Sequence, residues 1–291
     1  MTEAWTWTRR TLALALLGCV AMAAEARPAL WEVEGRGNRV FLFGSVHVLP
    51  RGGFAIEGPL ADAFAEAESV CLEVDTSQLP ESEVAALTLA RAIDPEGRTL
   101  FDLLGADADR ARTMAAMAGI ELAPFAQFEP WFVGLTVALV ALQQHGFDVE
   151  HGVETIIEQA ADRDGKKRCG LETLDEQLGF LDGLAPGLQH EILLQTLAEA
   201  SDIEAEMQAM LAAWQDGDTG ALARQLEEDF RDHPGLDERL IYERNARWVE
   251  QLEAMLDGGD DVLLVVGALH LAGPRGLPAL LERRGLKVRR R

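Results

Sequence analysis

Cysteine, tyrosine and positive charge are all scarce in this chain of 291 residues. Its three cysteines, Cys19, Cys71 and Cys169, are too few for a disulfide framework. No Cys-x-x-Cys-His sequence for haem attachment occurs. Lysine and arginine total 26 against 49 aspartates and glutamates, a formal net charge of −23. So acidic a protein repels polyanions, which argues against nucleic acid or an anionic membrane surface as its partner. Long apolar runs are also missing. The most apolar internal stretch, Trp131 to Leu142, has twelve residues without a charge. It reads as a core helix, too short to cross a bilayer, and no transmembrane span is expected in the mature chain. Basic residues gather only at Arg283, Arg284, Lys287, Arg289, Arg290 and Arg291, read as a solvated, partly frayed tail.

The N-terminus has the grammar of a targeting segment. Arg9-Arg10 closes a basic region, Thr11 to Ala24 is apolar and small, and Ala24-Glu25-Ala26 fits a small-x-small cleavage site. Residues 1–26 therefore read as a signal peptide and 27–291 as one domain, periplasmic or secreted. The alternative is a lipoprotein anchored through Cys19, since Leu16-Leu17-Gly18-Cys19 loosely matches a lipidation box. The remaining cysteines read as buried small apolar residues, with a bridge between neighbouring strands as the other option.

Two similar stretches frame the domain. Val40 to Phe43 is a buried strand by composition, followed by Gly44-Ser45-Val46-His47. Near the other end Val262 to Val266 is followed by Gly267-Ala268-Leu269-His270. Each strand delivers a Gly-x-x-His at its C-terminal edge, where open α/β sheets bind ligands. Leu30 to Phe43 reads as a β-hairpin. In the strand Ser69 to Asp75, alternation places Cys71, Glu73 and Asp75 on one side of the sheet. Lys166 to Glu172 is a further short strand, with Thr173 as cap of the next helix. Pro59 to Ala67 has a helical apolar face, a helix is expected from Pro274, and Leu286 to Arg289 is a last short strand. Residues 80–145 and 174–256 are helical in pattern. The fold class is α/β: a central mixed sheet, surrounding helices and a large helical insertion.

Four strand ends thus carry polar residues: His47, Glu73, Glu172 and His270. Two imidazoles and one or two carboxylates form a reasonable donor set for a catalytic divalent cation with an open position for water. The bland alternative is a pair of structural histidines bonded to backbone.

The ordered series Leu30-Trp31-Glu32-Val33, Gly44-Ser45-Val46-His47, Leu72-Glu73-Val74-Asp75, Gly170-Leu171-Glu172-Thr173, Arg244-Asn245-Ala246-Arg247-Trp248 and Gly267-Ala268-Leu269-His270 resembles the TraB/PrgY/GumN family. That family is related to the TIKI metalloproteases within the erythromycin-esterase/ChaN-like superfamily. The resemblance implies an EreA/ChaN-like α/β fold with both Gly-x-x-His motifs at the active centre. It implies a metal-dependent hydrolase of peptide or amide bonds, supported by manganese or cobalt, with zinc the further option. His47, Glu73, His270 and Glu172 would be ligands, with holding a neighbouring ligand in place an equal option for Glu172. Glu73 could instead activate water, and Arg244 or Asn245 would stabilise an oxyanion. The substrate is then a peptide or small molecule. Two other readings remain open: a haem- or ligand-binding protein without catalysis, and an esterase-like hydrolase using the histidines without metal.

Overall fold

The computed structural model describes residues 27–291; the expected signal peptide and Cys19 lie outside the described residues. The described residues form eight strands: β1 Leu30–Glu34, β2 Arg39–Ser45, β3 Leu49–Pro50, β4 Ser69–Val74, β5 Phe147–Asp148, β6 Lys167–Glu172, β7 Val262–Gly267 and β8 Lys287–Arg290. Six of them form one mixed sheet in the order β6-β4-β7-β2-β1-β8, while β3 and β5 make a small separate pair. β6, β4, β7 and β2 run parallel, and β1 returns antiparallel to β2 as the expected hairpin. The expected strands are present, and the sheet is mixed with helices around it.

The apolar runs of β2 and β7 are central because both of their faces are covered. On one face Phe41, Phe43, Val70, Leu72, Leu263 and Val265 pack under helices Gly58–Glu66 and Val153–Asp164. The buried residues Leu60, Ala63, Phe64 and Ala67 form the expected apolar face of the first. On the other face Val40, Leu42, Leu264 and Val266 meet helices Glu243–Leu256 and Leu277–Arg283. The helical insertion has a core of its own. Helix Pro130–Gln144 contributes Val133 and Val137, and helix Pro186–Glu199 contributes Leu193 and Leu197.

Four details differ from the sequence reading. Cys71 and Cys169 lie opposite each other on β4 and β6 with Cα atoms 4.5 Å apart and form a disulfide, where buried thiols were expected. The basic C-terminal residues are no frayed tail. Arg283 and Arg284 end the last helix, and Lys287, Arg289 and Arg290 lie in β8, where Lys287 and Arg289 pair with Glu34 of β1 at 2.7 and 2.9 Å. The last helix begins at Leu277 behind Gly276, not at Pro274; Pro278 takes the early position where its missing N–H costs nothing. Finally, Glu73 and Asp75 reach opposite faces. The β4 ladder ends at Val74, so alternation no longer governs Asp75, which turns to Arg168 at 2.8 Å.

Candidate functional site

The C-terminal edges of β6, β4, β7 and β2 lie side by side and deliver Glu172, Glu73, His270 and His47 in that spatial order. A helix completes the set from above. Arg244, Asn245 and Trp248 stand on one side of Glu243–Leu256, entered through a wide π turn at Glu238–Tyr242. Such turns shift side-chain register by one residue and recur at functional sites. Here the helix presents a guanidinium, an amide and an indole to the strand ends.

Arg244 is the hub. It is buried, and its Nη2 donates to Glu73 Oε2 at 2.5 Å and to Glu172 Oε1. Nε reaches Glu172 Oε2 at 3.3 Å, and Nη1 bonds Leu240 O at 3.0 Å and His270 Nε2 at 3.2 Å. Its guanidinium lies 4.7 Å from the Trp248 ring centroid. Burial raises the Glu172 carboxyl above its ordinary range, and the Arg244 contacts only partly offset that. Burial also pushes Glu73 up, yet His270, Arg244, His47 and the Gly267 N–H more than reverse it. Since the His270 ring is neutral, the net positive field on Glu73 comes from Arg244 and His47, and the carboxylate stays ionised. Its Oε1 accepts from Gly267 N at 2.7 Å and its Oε2 from Gln177 Nε2 at 3.1 Å.

His270 is fully enclosed, with its ring centroid 4.4 Å from that of Trp248. Burial lowers its imidazole to about 3, so it is neutral at physiological pH. Its tautomer follows from the amide beside it. Asn245 Nδ2 donates to the carbonyls of His270 and Arg275, which leaves Asn245 Oδ1 to accept from His270 Nδ1–H at 2.7 Å. Nε2 therefore carries the lone pair, 3.7 Å from Glu73 Oε1.

His47 is the open member, with 69% of its side chain exposed. Its Nδ1–H donates to Glu154 Oε1 at 2.8 Å, and Ser45 Oγ donates to the same oxygen at 2.5 Å. The Glu154 carboxylate beside it raises the imidazole to about 9. Sequence reasoning did not find Glu154. It is an ordinary acid in the first turn of a helix, where acids are common for dipole reasons alone. What places it is Gly152. A Cβ there would lie 2.1 Å from His47 O, so only glycine lets the helix start against the His47 backbone, where Val153 N bonds Val46 O at 3.0 Å.

The structure thus gathers Glu73, His270, Glu172, Arg244 and Asn245 into one bonded cluster and sets His47 beside it, close enough for its charge to act on Glu73. His145, His190 and His233 lie elsewhere, each beside a carboxylate of the helical part. A model of the TraB/PrgY/gumN family matches residues 29–290, nearly the whole described chain. The chain belongs to this family. Within it, the chain is similar to the uncharacterized protein YbaP of Escherichia coli K12, 26% identical over 256 residues, or 88% of this chain and 92% of YbaP. The Shigella flexneri YbaP is 25% identical over the same span. No solved structure matches.

The donor chemistry can be tested against a divalent cation. Both Gly-x-x-His imidazoles have Nδ1–H tied to an oxygen acceptor, so Nε2 is the ring nitrogen a cation could take, although His270 Nε2 accepts from Arg244. This is how carboxylate and amide partners orient metal-bound histidines. Glu73 Oε1 lies near one of these nitrogens. Glu172 does not fit as a ligand, because both of its oxygens face Arg244. Among the described residues no group of three His, Cys, Asp or Glu side chains is placed to hold a metal ion. For a cation to bind here, His47, Glu73 and His270 would have to draw together and Arg244 would have to release His270 Nε2.

Proposed function

We propose that this TraB-family protein is an exported, metal-dependent hydrolase of peptide or amide bonds. The observation that carries the reading is the shared orientation of two imidazoles, delivered by neighbouring strands that lie far apart in sequence. Each has Nδ1 engaged by an oxygen acceptor and turns Nε2 away from it; His270 Nε2 accepts from Arg244 and lies 3.7 Å from Glu73, a glutamate kept ionised. His47 Nε2, His270 Nε2 and the Glu73 carboxylate would hold the cation. When bound, a divalent cation there polarises a substrate carbonyl and acidifies its water. Manganese or cobalt is the favoured ion and zinc the alternative; this preference and the amide bond as target rest on the resemblance carried by the motifs.

The chain's own residues have separable tasks. Glu154 and Asn245 lock the two ring orientations. Arg244 Nη1, once released from His270 Nε2, would stabilise an oxyanion or a carboxylate of the substrate. Glu172 holds Arg244 by both oxygens and so works behind the reacting atoms. His47, exposed and able to exchange a proton through Nε2, marks the side from which substrate enters. The Cys71–Cys169 bridge supports export, since disulfides persist in oxidising compartments.

The test is metal content and affinity of the purified protein beside His47→Ala. The expected result is one site in the wild type, lost in the variant, with peptide cleavage abolished by a chelator and restored by manganese. A second reading is favoured by Arg244 standing against His270 Nε2: acid–base hydrolysis by the His47–Glu154 pair without metal. Cleavage that persists undiminished in chelator would select it.

A further inference from the structure

Two solvent-facing side chains flank the row of strand ends. His47, with 69% of its side chain exposed, stands at the β2 end. Arg247, 50% exposed, stands at the β6 end, where its Nη2 lies 3.9 Å from Glu172 Oε2. Between them the side chains of Glu73, Glu172, Arg244 and His270 are at most 11% exposed. β6 and β2 are three strand spacings apart in the sheet, roughly 14 Å, which an extended peptide crosses with about four residues. A substrate that enters on the His47 side and lies along the row therefore ends near Arg247.

Arg247 is held in place but not saturated. It follows Arg244 by three residues on the helix Glu243–Leu256, so the two side chains are neighbours on its surface. Both guanidiniums rest on one ring: Arg247 lies 5.2 Å and Arg244 5.3 Å from the Phe180 centroid. Among the described residues the one carboxylate contact of Arg247 is that with Glu172 at 3.9 Å, too long for a hydrogen bond. The two acids within reach of its charge are engaged elsewhere. Glu172 turns both oxygens to Arg244. Glu176 Oε2 accepts from Thr173 N and Oγ at 2.8 and 2.9 Å, closing the cap of the helix Leu174–Asp182. Stacking narrows the rotamers of Arg247, and its planar fork of donors matches a carboxylate with two parallel bonds.

We propose that Arg247 recognises a carboxylate of the substrate, so that the site selects peptides with a negative charge two or three residues from the bond that is cleaved. The charge is a free C-terminus or an aspartate or glutamate side chain, which offer the same two oxygens. The proposal rests on the hydrolase reading for the reaction, but recognition of the carboxylate is measurable without it. The net charge of −23 does not forbid an anionic substrate, since salt confines the field of distant acids to about 8 Å. At a half-exposed position, a paired charge-assisted contact should change affinity by about tenfold.

The experiment is calorimetric titration of the chelator-treated protein with three probes: N-acetyl-tetraalanine with a free C-terminus, its C-terminal amide, and the amide of N-acetyl-Ala-Ala-Asp-Ala. Cleavage of the same peptides by the manganese-loaded protein is measured in parallel. The expected result is about tenfold tighter binding of one carboxylate probe than of the neutral amide, and the probe that gains names the source of the charge. Arg247→Gln should remove that preference at an unchanged melting temperature, while Arg247→Lys, which keeps the charge but loses the fork, should retain part of it. Selective binding without turnover would uphold the recognition of a carboxylate and remove the hydrolase reading. Equal affinity for all three peptides, binding of none at millimolar concentration, or a preference that survives in Arg247→Gln would overturn the proposal. So would turnover of all three with equal kcat/KM, which would leave the hydrolase reading standing. The comparison of the three peptides on the unaltered protein holds even if Arg247→Gln folds poorly.

Discussion

Replacing Arg244 by methionine removes the charge at the centre of the cluster, and with it the guanidinium's contact with Trp248, while keeping most of the apolar stem. Two carboxylates then lose their main partner. The Glu73 and Glu172 side chains are only 11% and 4% exposed, so neither can be rehydrated without disturbing the strand ends. Breaking a buried ion pair by removing one member costs about 3–5 kcal/mol, chiefly as the uncompensated charge left behind. That is a large share of the stability of a typical domain, roughly 5–15 kcal/mol, so Arg244→Met should fold but unfold at much lower urea. The loss should also depend on pH. In the wild type Glu73 is held below its unfolded value of 4.5, so its contribution is full above that pH and disappears as pH falls through the folded value. In the variant both carboxyls are pushed up by burial, so their penalty is felt at pH 7 and relieved by protonation as pH falls. The gap between the two proteins should therefore shrink between pH 7 and pH 5. Urea unfolding followed by circular dichroism at both pH values measures it. Adding Glu73→Gln and Glu172→Gln to Arg244→Met should recover at least half of the loss. A gap under about 1 kcal/mol at pH 7, or one that is the same at pH 5, would refute the buried-charge account.

The His47 ring should titrate near 9 by nuclear magnetic resonance, and Glu154→Gln should bring it back toward its ordinary 6.5. An unmoved titration would remove Glu154 as the cause. Below about pH 9, cation affinity should fall by about tenfold per pH unit, because His47 must shed its proton before ligating; a manganese titration at pH 7 and 8 gives the slope, and a flat response excludes His47 as a ligand. Reducing the Cys71–Cys169 bridge, which spans 98 residues of sequence, should cost about 2–4 kcal/mol in urea unfolding. Gly152→Ala should abolish the His47–Glu154 contact, since the added methyl would collide with His47 O, and the His47 titration would shift down with it.

The strands were legible because each is a short apolar or alternating run bounded by turn residues, and parallel strands covered on both faces tolerate little else. The four strand-end side chains followed from that placement. Arg244 and Asn245 came only with the ordered motif series, for nothing in a helix sequence announces that its arginine will enter a sheet edge. Glu154 stayed hidden because its role depends on how closely one helix approaches one carbonyl. The disulfide was open to reading in either direction, as strand order, and thus the facing of Cys71 and Cys169, is not written in local sequence. Alternation misplaced Asp75 because it holds only while the ladder lasts, and β4 stops one residue earlier.

The side chains bonded to Arg244 are 72, 171 and 26 positions from it in sequence, and Glu73 also waits on Gly267, 194 positions away. No fragment of the chain holds two strand-end donors together through local structure, so the centre comes into being only when β2, β4, β6 and β7 have closed into one sheet. Any activity it carries is thereby timed by folding itself. An incompletely folded or clipped chain is chemically silent, and the protein cannot act on its neighbours, or on other copies of itself, before its own architecture is complete.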